Sequence, residues 1–141
     1  HHAELLLLDE ATSGLDPVMR DDVLDLLLDF VQSEKHGVLF STHIMSDLSK
    51  IADYIAFLHE GKLLFFKSKD ELIYRYGLIH CGEKLFREID HDDILAWRKQ
   101  EYEYQILVAD RETAARKYKD CVIDPATLDS IMLLYIKGGS L

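Results

Sequence analysis

This sequence is poor in cysteine, proline and basic charge. Cysteine occurs only at Cys81 and Cys121, outside any CxxC or Cys/His ligand spacing. That argues against a disulfide framework or a metal site, and two buried free thiols in a reduced, cytosolic protein are expected. Proline occurs only at Pro17 and Pro125, each directly after an aspartate; this is the chemistry of a helix start. The 16 Lys and Arg are outnumbered by 26 Asp and Glu, a formal net charge of -10. The acid excess is heavier before Tyr76 than after it, and neither part has the basic footprint of a nucleic-acid binder. No apolar run has the length of a membrane helix, and no secretory signal pattern is present. Internal repeats and low-complexity stretches are absent too, as is a GxxxxGK(S/T) loop, so the sequence offers no cradle for the phosphates of a nucleotide.

What is present reads as alternating strands and helices. Hydrophobic residues make up 48% of the chain, enough for a core. Leu5 to Asp9 reads as a buried strand, its four leucines forming a continuous apolar run as in a parallel sheet covered on both faces. Asp16-Pro17 starts a helix whose apolar spacing (Val23, Leu24, Leu27, Leu28, Phe30, Val31) runs to about Lys35. Val38 to Ser41 is a second short strand, and Ile44, Leu48, Ile51 and Ala52 mark a short helix. Tyr54 to Leu58 and Lys62 to Phe66 predict a hairpin turning through Gly61. Ser68 and Glu71 have capping-box spacing for a helix to Tyr76. Beyond Leu78 the pattern is a smaller α+β region. Its strands are expected over Leu78 to Cys81, Ile94 to Lys99, Tyr102 to Val108 and Val122-Ile123. Its helices are expected over Glu83 to Glu88, from Asp110, and from Asp124-Pro125. Tyr102, Tyr104, Ile106 and Val108 are expected to share one face.

The chemistry concentrates at the first strand. Asp9 and Glu10 stand at its carboxyl end, where ligands of such sheets sit. Ser13-Gly14-Leu15-Asp16 follows, and Thr42-His43 arrives after one helix and one strand. A βαβ crossover lays parallel strand ends side by side, so Asp9, Glu10 and His43 can converge. His36, His59, His80 and His91 have no partner pattern and read as surface residues.

In order and spacing these residues resemble the second half of the ATPase domain of ATP-binding cassette (ABC) proteins. Leu5 to Glu10 resembles the Walker B strand, Ser13 to Asp16 the D-loop and His43 the switch histidine. Ala11 departs from the family, which more often has proline there. The resemblance implies a truncated, RecA-like P-loop NTPase half-domain with parallel strands and a C-terminal hairpin over residues 1–76, followed by a small α+β appendage over residues 77–141. It further implies ATP and Mg²⁺ as cofactors of the whole protein. Asp9 would hold Mg²⁺ through water, Glu10 would act as general base on the attacking water, and His43 would contact the γ-phosphate. Ser13 and Gly14 would turn the D-loop, and Asp16 would stand at the interface between two ATPase subunits around sandwiched nucleotides.

The implied parent is the ATPase subunit of a transporter, with a bacterial exporter expected from the appendage, a membrane-spanning permease as partner and no nucleic acid. Its place would be cytoplasmic, peripheral on the membrane. Walker A and the signature loop are missing from this sequence, so the chain is expected to be inactive alone, and exposed sheet edges are expected to let it self-associate. His1-His2 are read as native residues leading into the first strand, with a purification-tag remnant as the rival. Two alternatives stay open for function: a non-transport ABC ATPase of translation or DNA repair, and a regulatory binding module.

Overall fold

A computed structural model describes residues 4–139; His1 and His2 lie outside the described residues. The chain divides into two compact units, residues 1–52 and 53–141.

In the first unit, Leu5–Asp9 (β1) and Gly37–Ser41 (β2) pair in parallel, from Leu5 opposite Gly37 to Asp9 opposite Ser41. The connecting helix is Pro17–Phe30 (α1), with Leu24 and Leu27 buried. Asp16 caps it as the sequence predicts, accepting the N–H groups of Val18 and Met19 at 3.0 and 3.1 Å. The helix stops short of Lys35. His36 stacks on Phe30 with ring centroids 4.3 Å apart, and its Nδ1 donates to the Phe30 carbonyl at 2.9 Å. That imidazole takes a carbonyl a further helical turn would have used. Met45–Ile51 (α2) follows β2, after Thr42 Oγ1 accepts the Ile44 N–H at 3.0 Å. The continuous burial expected for β1 is corrected: Leu5 and Leu7 are 60% and 69% exposed, as is Leu39 of β2 at 67%. Alternation puts these three on one face of the two-stranded sheet, while Leu6, Leu8, Val38 and Phe40 are half-buried on the other. Among the described residues only that second face gains cover.

The second unit begins with an antiparallel hairpin, Tyr54–His59 (β3) and Lys62–Ser68 (β4). Its two-residue turn has Glu60 at φ 48 and Gly61 at φ 74, the doubly left-handed turn that suits the twist of a hairpin. Ser68 Oγ accepts the Glu71 N–H at 3.1 Å, as its spacing predicts, although Glu71–Arg75 winds as a π-helical turn, not an α-helix.

Then come Gly77–Cys81 (β5), Glu83–Phe86 (α3), Ala96–Lys99 (β6), Tyr104–Val108 (β7), Arg111–Lys117 (α4), Val122–Pro125 (β8) and Leu128–Lys137 (α5). Strands β5 to β8 form one antiparallel sheet in the order β6-β7-β5-β8. Two β-α-β passages are thus interleaved, β5-α3-β6 with β7-α4-β8, which is the split, ferredoxin-like βαββαβ arrangement. One face carries Ile79, Cys81, Tyr104, Ile106 and Val108 in a core shared with Ala114 of α4 and with Leu85 and Phe86 of α3. Helix α5 contacts β6 and β7, and its Ile131 and Leu134 are buried outside that core. It therefore covers the opposite face, where Leu107 is fully buried. Tyr135 of α5 also packs on Phe57 and Phe65 of the hairpin.

Two expectations are corrected here. Tyr102 does not join the buried face of β7; it lies in the β6–β7 turn and is 92% exposed. Asp124-Pro125 does not start α5. Both residues pair with β5, Pro125 opposite Gly77 at the end of the edge strand β8, a place where a missing N–H is tolerated. Thr127 caps α5 instead, in a reciprocal capping box with Ser130.

Candidate functional site

The end of the parallel β1–β2 pair gathers the expected acids. Register places Ser41 opposite Asp9, and the Ser41 hydroxyl donates to Asp9 Oδ1. Glu10 then leaves the strand in the left-handed region, φ 49, with its N–H donating to the Ser41 carbonyl at 2.9 Å. A non-glycine residue there costs about 1 kcal/mol, and such conformations concentrate at functional sites. Glu10 Oε2 lies 2.9 Å from His43 Nδ1, across 33 residues of sequence. A carboxylate only accepts, so the proton of this contact sits on Nδ1. The Nε2 edge of the imidazole is left over, on a side chain 71% exposed against 41% for Glu10.

The loop after Glu10 is held by Ser13 N–H on the Glu10 carbonyl at 3.0 Å and Leu15 N–H on the Thr12 carbonyl at 3.3 Å. Gly14, at φ 79, takes the conformation that side chains resist. Asp16 is occupied as the α1 cap. The structure thus brings Asp9, Glu10 and His43 together, puts Ser13 and Gly14 in the turn beside them, and sets Asp16 at the start of the helix.

Three residues escaped the sequence reading. Ser41 was legible in principle, because parallel register aligns strand ends. Thr12 and Asp47 were not. The Thr12 hydroxyl donates to Asp47 Oδ2 at 2.5 Å across 35 residues, and both side chains are almost fully buried. This pair ties the post-strand loop to the first turn of α2. Nearby, Lys50 of α2 reaches Asp21 and Asp25 of α1 at 2.5 and 2.7 Å; those hydrogen bonds hold its ammonium above the ordinary lysine pKa.

His80 of the second unit is not the surface residue expected. It is largely buried between Glu103, 3.2 Å from Nδ1, and Asp124, 3.5 Å from Nε2.

The exposed ledge at Asp9, Glu10 and His43 offers a carboxylate base steadied by an imidazole and a second carboxylate with one oxygen not engaged by Ser41. Among the described residues no group of three or more His, Cys, Asp or Glu forms a metal cage. A lone carboxylate fits Mg²⁺, which keeps several waters and is held by one or two carboxylates together with substrate phosphates.

Known proteins resemble the chain over part of its length. It is 38% identical over 64 residues to the bacitracin transport ATP-binding protein BcrA of Bacillus licheniformis, which covers 45% of this chain and 21% of that protein. It is 30% identical over 94 residues to the glycine betaine/carnitine transport ATP-binding protein GbuA of Listeria monocytogenes, covering 67% and 23%. It is 35% identical over 96 residues to the ABC transporter ATP-binding protein YtrB of Bacillus subtilis, covering 68% and 31%. The chain therefore spans about a fifth to a third of the length of these curated relatives. No family model matches it. An ABC transporter solved in an inward-facing conformation overlaps 74% of this chain and 40% of its own at 26% identity, with a TM-score of 0.46, too loose a superposition to define a shared architecture.

Proposed function

Taking as premise that this chain is homologous, over part of its length, to the ATP-binding proteins of ABC transporters, we propose that it is the post-Walker-A portion of an ATP-hydrolysing transport subunit. In this reading residues 1–76 are the later half of a truncated RecA-like P-loop domain and residues 77–141 an accessory region. One observation carries the reading: Glu10 and His43, far apart in sequence, meet at 2.9 Å beside Asp9 at the end of a parallel strand pair.

Mg²⁺, when bound with ATP, supplies positive charge against the charge developing on the transferred phosphoryl oxygens. Asp9 would hold it, through water, with the carboxylate oxygen that Ser41 leaves open. Glu10 accepts the proton of the attacking water on Oε1, and the Nδ1–H of His43 holds Oε2 so that the carboxylate keeps its aim. His43 Nε2 remains for a phosphate oxygen. Ser13 and Gly14 turn the chain toward a second ATPase subunit, and Asp16 stands at that interface while capping α1. A membrane-spanning permease is the other partner, and the place of work is the cytoplasmic face of a membrane. No helix among the described residues is long and apolar enough to cross a membrane.

Export is the favoured direction, on the strength of the appendage; relatives named for bacitracin and for betaine transport leave the sequence match neutral on this point. The 141 residues carry no GxxxxGK(S/T) loop, so the chain by itself is proposed to be inactive, and to self-associate through the outer edges of β1 and β2, which have no strand partner among the described residues.

The test uses the parent protein. Glu10→Gln is expected to leave ATP binding intact and to lower hydrolysis by roughly 10²–10⁴-fold, the usual worth of a positioned general base. Turnover equal to wild type removes Glu10 from that role. The 141-residue chain titrated with a fluorescent ATP analogue is expected to show no saturable binding; tight binding would overturn the proposed inactivity.

A further inference from the structure

We propose that Cys81 and Cys121 form a reversible dithiol–disulfide site in the second unit, one that takes a disulfide-bearing oxidant. The β5–β8 ladder runs from Gly77 opposite Pro125 to His80 opposite Val122. One more step of the same antiparallel register would set Cys81 opposite Cys121, the residue just before β8. Directly opposed residues of an antiparallel pair have Cα atoms about 4.5–5.5 Å apart, inside the roughly 4.4–6.8 Å range that a disulfide bridges without backbone movement. Both side chains belong to one cluster, Cys81 buried in the α3/α4 core and Cys121 packed against it. Each thiol shifts the titration of the other, Cys121 raising that of Cys81 and Cys81 lowering that of Cys121. Both are free, and among the described residues no metal-binding group includes them.

Exposure orders the reaction. Cys81 is buried as expected, but Cys121 is half-exposed. The Cys121 thiolate attacks one sulfur of the oxidant R–S–S–R and expels RS⁻. The Cys81 thiolate then attacks the Cys121 sulfur and expels the second RS⁻. The two leaving thiolates take up the two thiol protons, so two protein thiols and one disulfide become one protein disulfide and two RSH. A dithiol reductant reverses the exchange.

The surroundings make the site slow at neutral pH. Burial pushes the Cys81 thiol up to about 11, with Cys121 and Glu103 adding to the rise. Burial raises Cys121 as well, as do the carboxylates of Asp120 and Glu88. Thiolate supply therefore limits exchange, and the rate rises steeply with pH. The bond would tie the start of the edge strand β8 to the end of β5 and enclose α3, β6, β7 and α4 in one covalent loop.

The test treats the reduced 141-residue chain with oxidised glutathione and reads intact mass, thiol labelling and thermal melting. The expected product has lost two hydrogens, carries no glutathione, labels at neither cysteine and melts several degrees higher, because a closed loop of this size restricts the unfolded chain. Its formation should speed up roughly tenfold per pH unit below the thiol pKa, and dithiothreitol should restore both thiols. Cys81→Ala should instead accumulate a stable glutathione adduct at Cys121. Adducts on both cysteines of the wild-type chain, a disulfide-linked dimer, or two thiols that stay unreacted at pH 9 would each overturn the proposal.

Discussion

Replacing Thr12 by valine isolates the buried bond behind the acidic loop. Valine keeps the shape of threonine and exchanges Oγ1 for a methyl group. Asp47 Oδ2, now 2.5 Å from that hydroxyl, would lose its side-chain partner on a residue that is 1% exposed. Leaving a buried acceptor unsatisfied costs about 1–3 kcal/mol, and more when the group is charged, so a loss of about 3 kcal/mol is expected. Thr12→Ser keeps the hydroxyl and gives up one methyl, at about 1 kcal/mol. The order is diagnostic, since the better isostere should be the worse substitute. Urea unfolding followed by far-UV circular dichroism reads it. With a slope of about 1–3 kcal/mol/M, Thr12→Val should lower the midpoint by roughly 1–3 M. Thr12→Val with Asp47→Ala should cost less than the two single changes added together. A valine variant as stable as wild type, or strict additivity in the double variant, would refute a stabilising bond between Thr12 and Asp47.

Gly138→Ala should detach the end of α5. A Cβ there would stand 2.2 Å from the Leu134 carbonyl oxygen and 2.6 Å from that of Trp97, so the Trp97–Gly139 bridge should open and the fluorescence of Trp97, the one tryptophan, should change; an unaltered spectrum and melting temperature would contradict this. Asp93→Asn should flatten the acid limb of stability. Hydrogen bonds from Lys117 and then Tyr118 hold Asp93 below its ordinary 3.8, so its contribution is present above that value and is lost as the pH falls below it; melting temperatures of variant and wild type should converge between pH 4 and pH 2. Cys81→Ser should act on the alkaline side. With its folded pKa raised from 9.0 to about 11, the native state retains a proton that the unfolded chain releases, so stability falls as the pH rises through that window, and the variant should lose less of it.

Much of the local structure was legible because it is decided by neighbours in sequence. Asp16 caps α1 because its side chain is two and three residues from the N–H groups it accepts. Glu60-Gly61 turns the hairpin because two positive φ angles are needed at adjacent positions. The meeting of Asp9, Glu10 and His43 was also foreseeable, since parallel pairing fixes which strand ends lie together. Helix ends were less legible. The stop of α1 depends on His36 folding back on Phe30, and the apolar spacing beyond Phe30 carries no sign of it. Asp124-Pro125 has the chemistry of a helix start and still ends a strand, because β5 offers it a partner and Thr127 offers α5 a better cap.

The alternation of strands and helices, the acids at the first strand end, and a histidine returned to them by one crossover could all be read from the residues alone. These follow from periodicity and from short-range hydrogen-bond chemistry, which act within a few residues. Long-range packing alone makes Thr12 close on Asp47, His80 lie between Glu103 and Asp124, the later region interleave two β-α-β passages, and Cys81 and Cys121 join one cluster. Each joins residues some twenty or more positions apart, and whether they meet depends on strand order and register. Those are properties of how whole faces pack, and no local pattern records them.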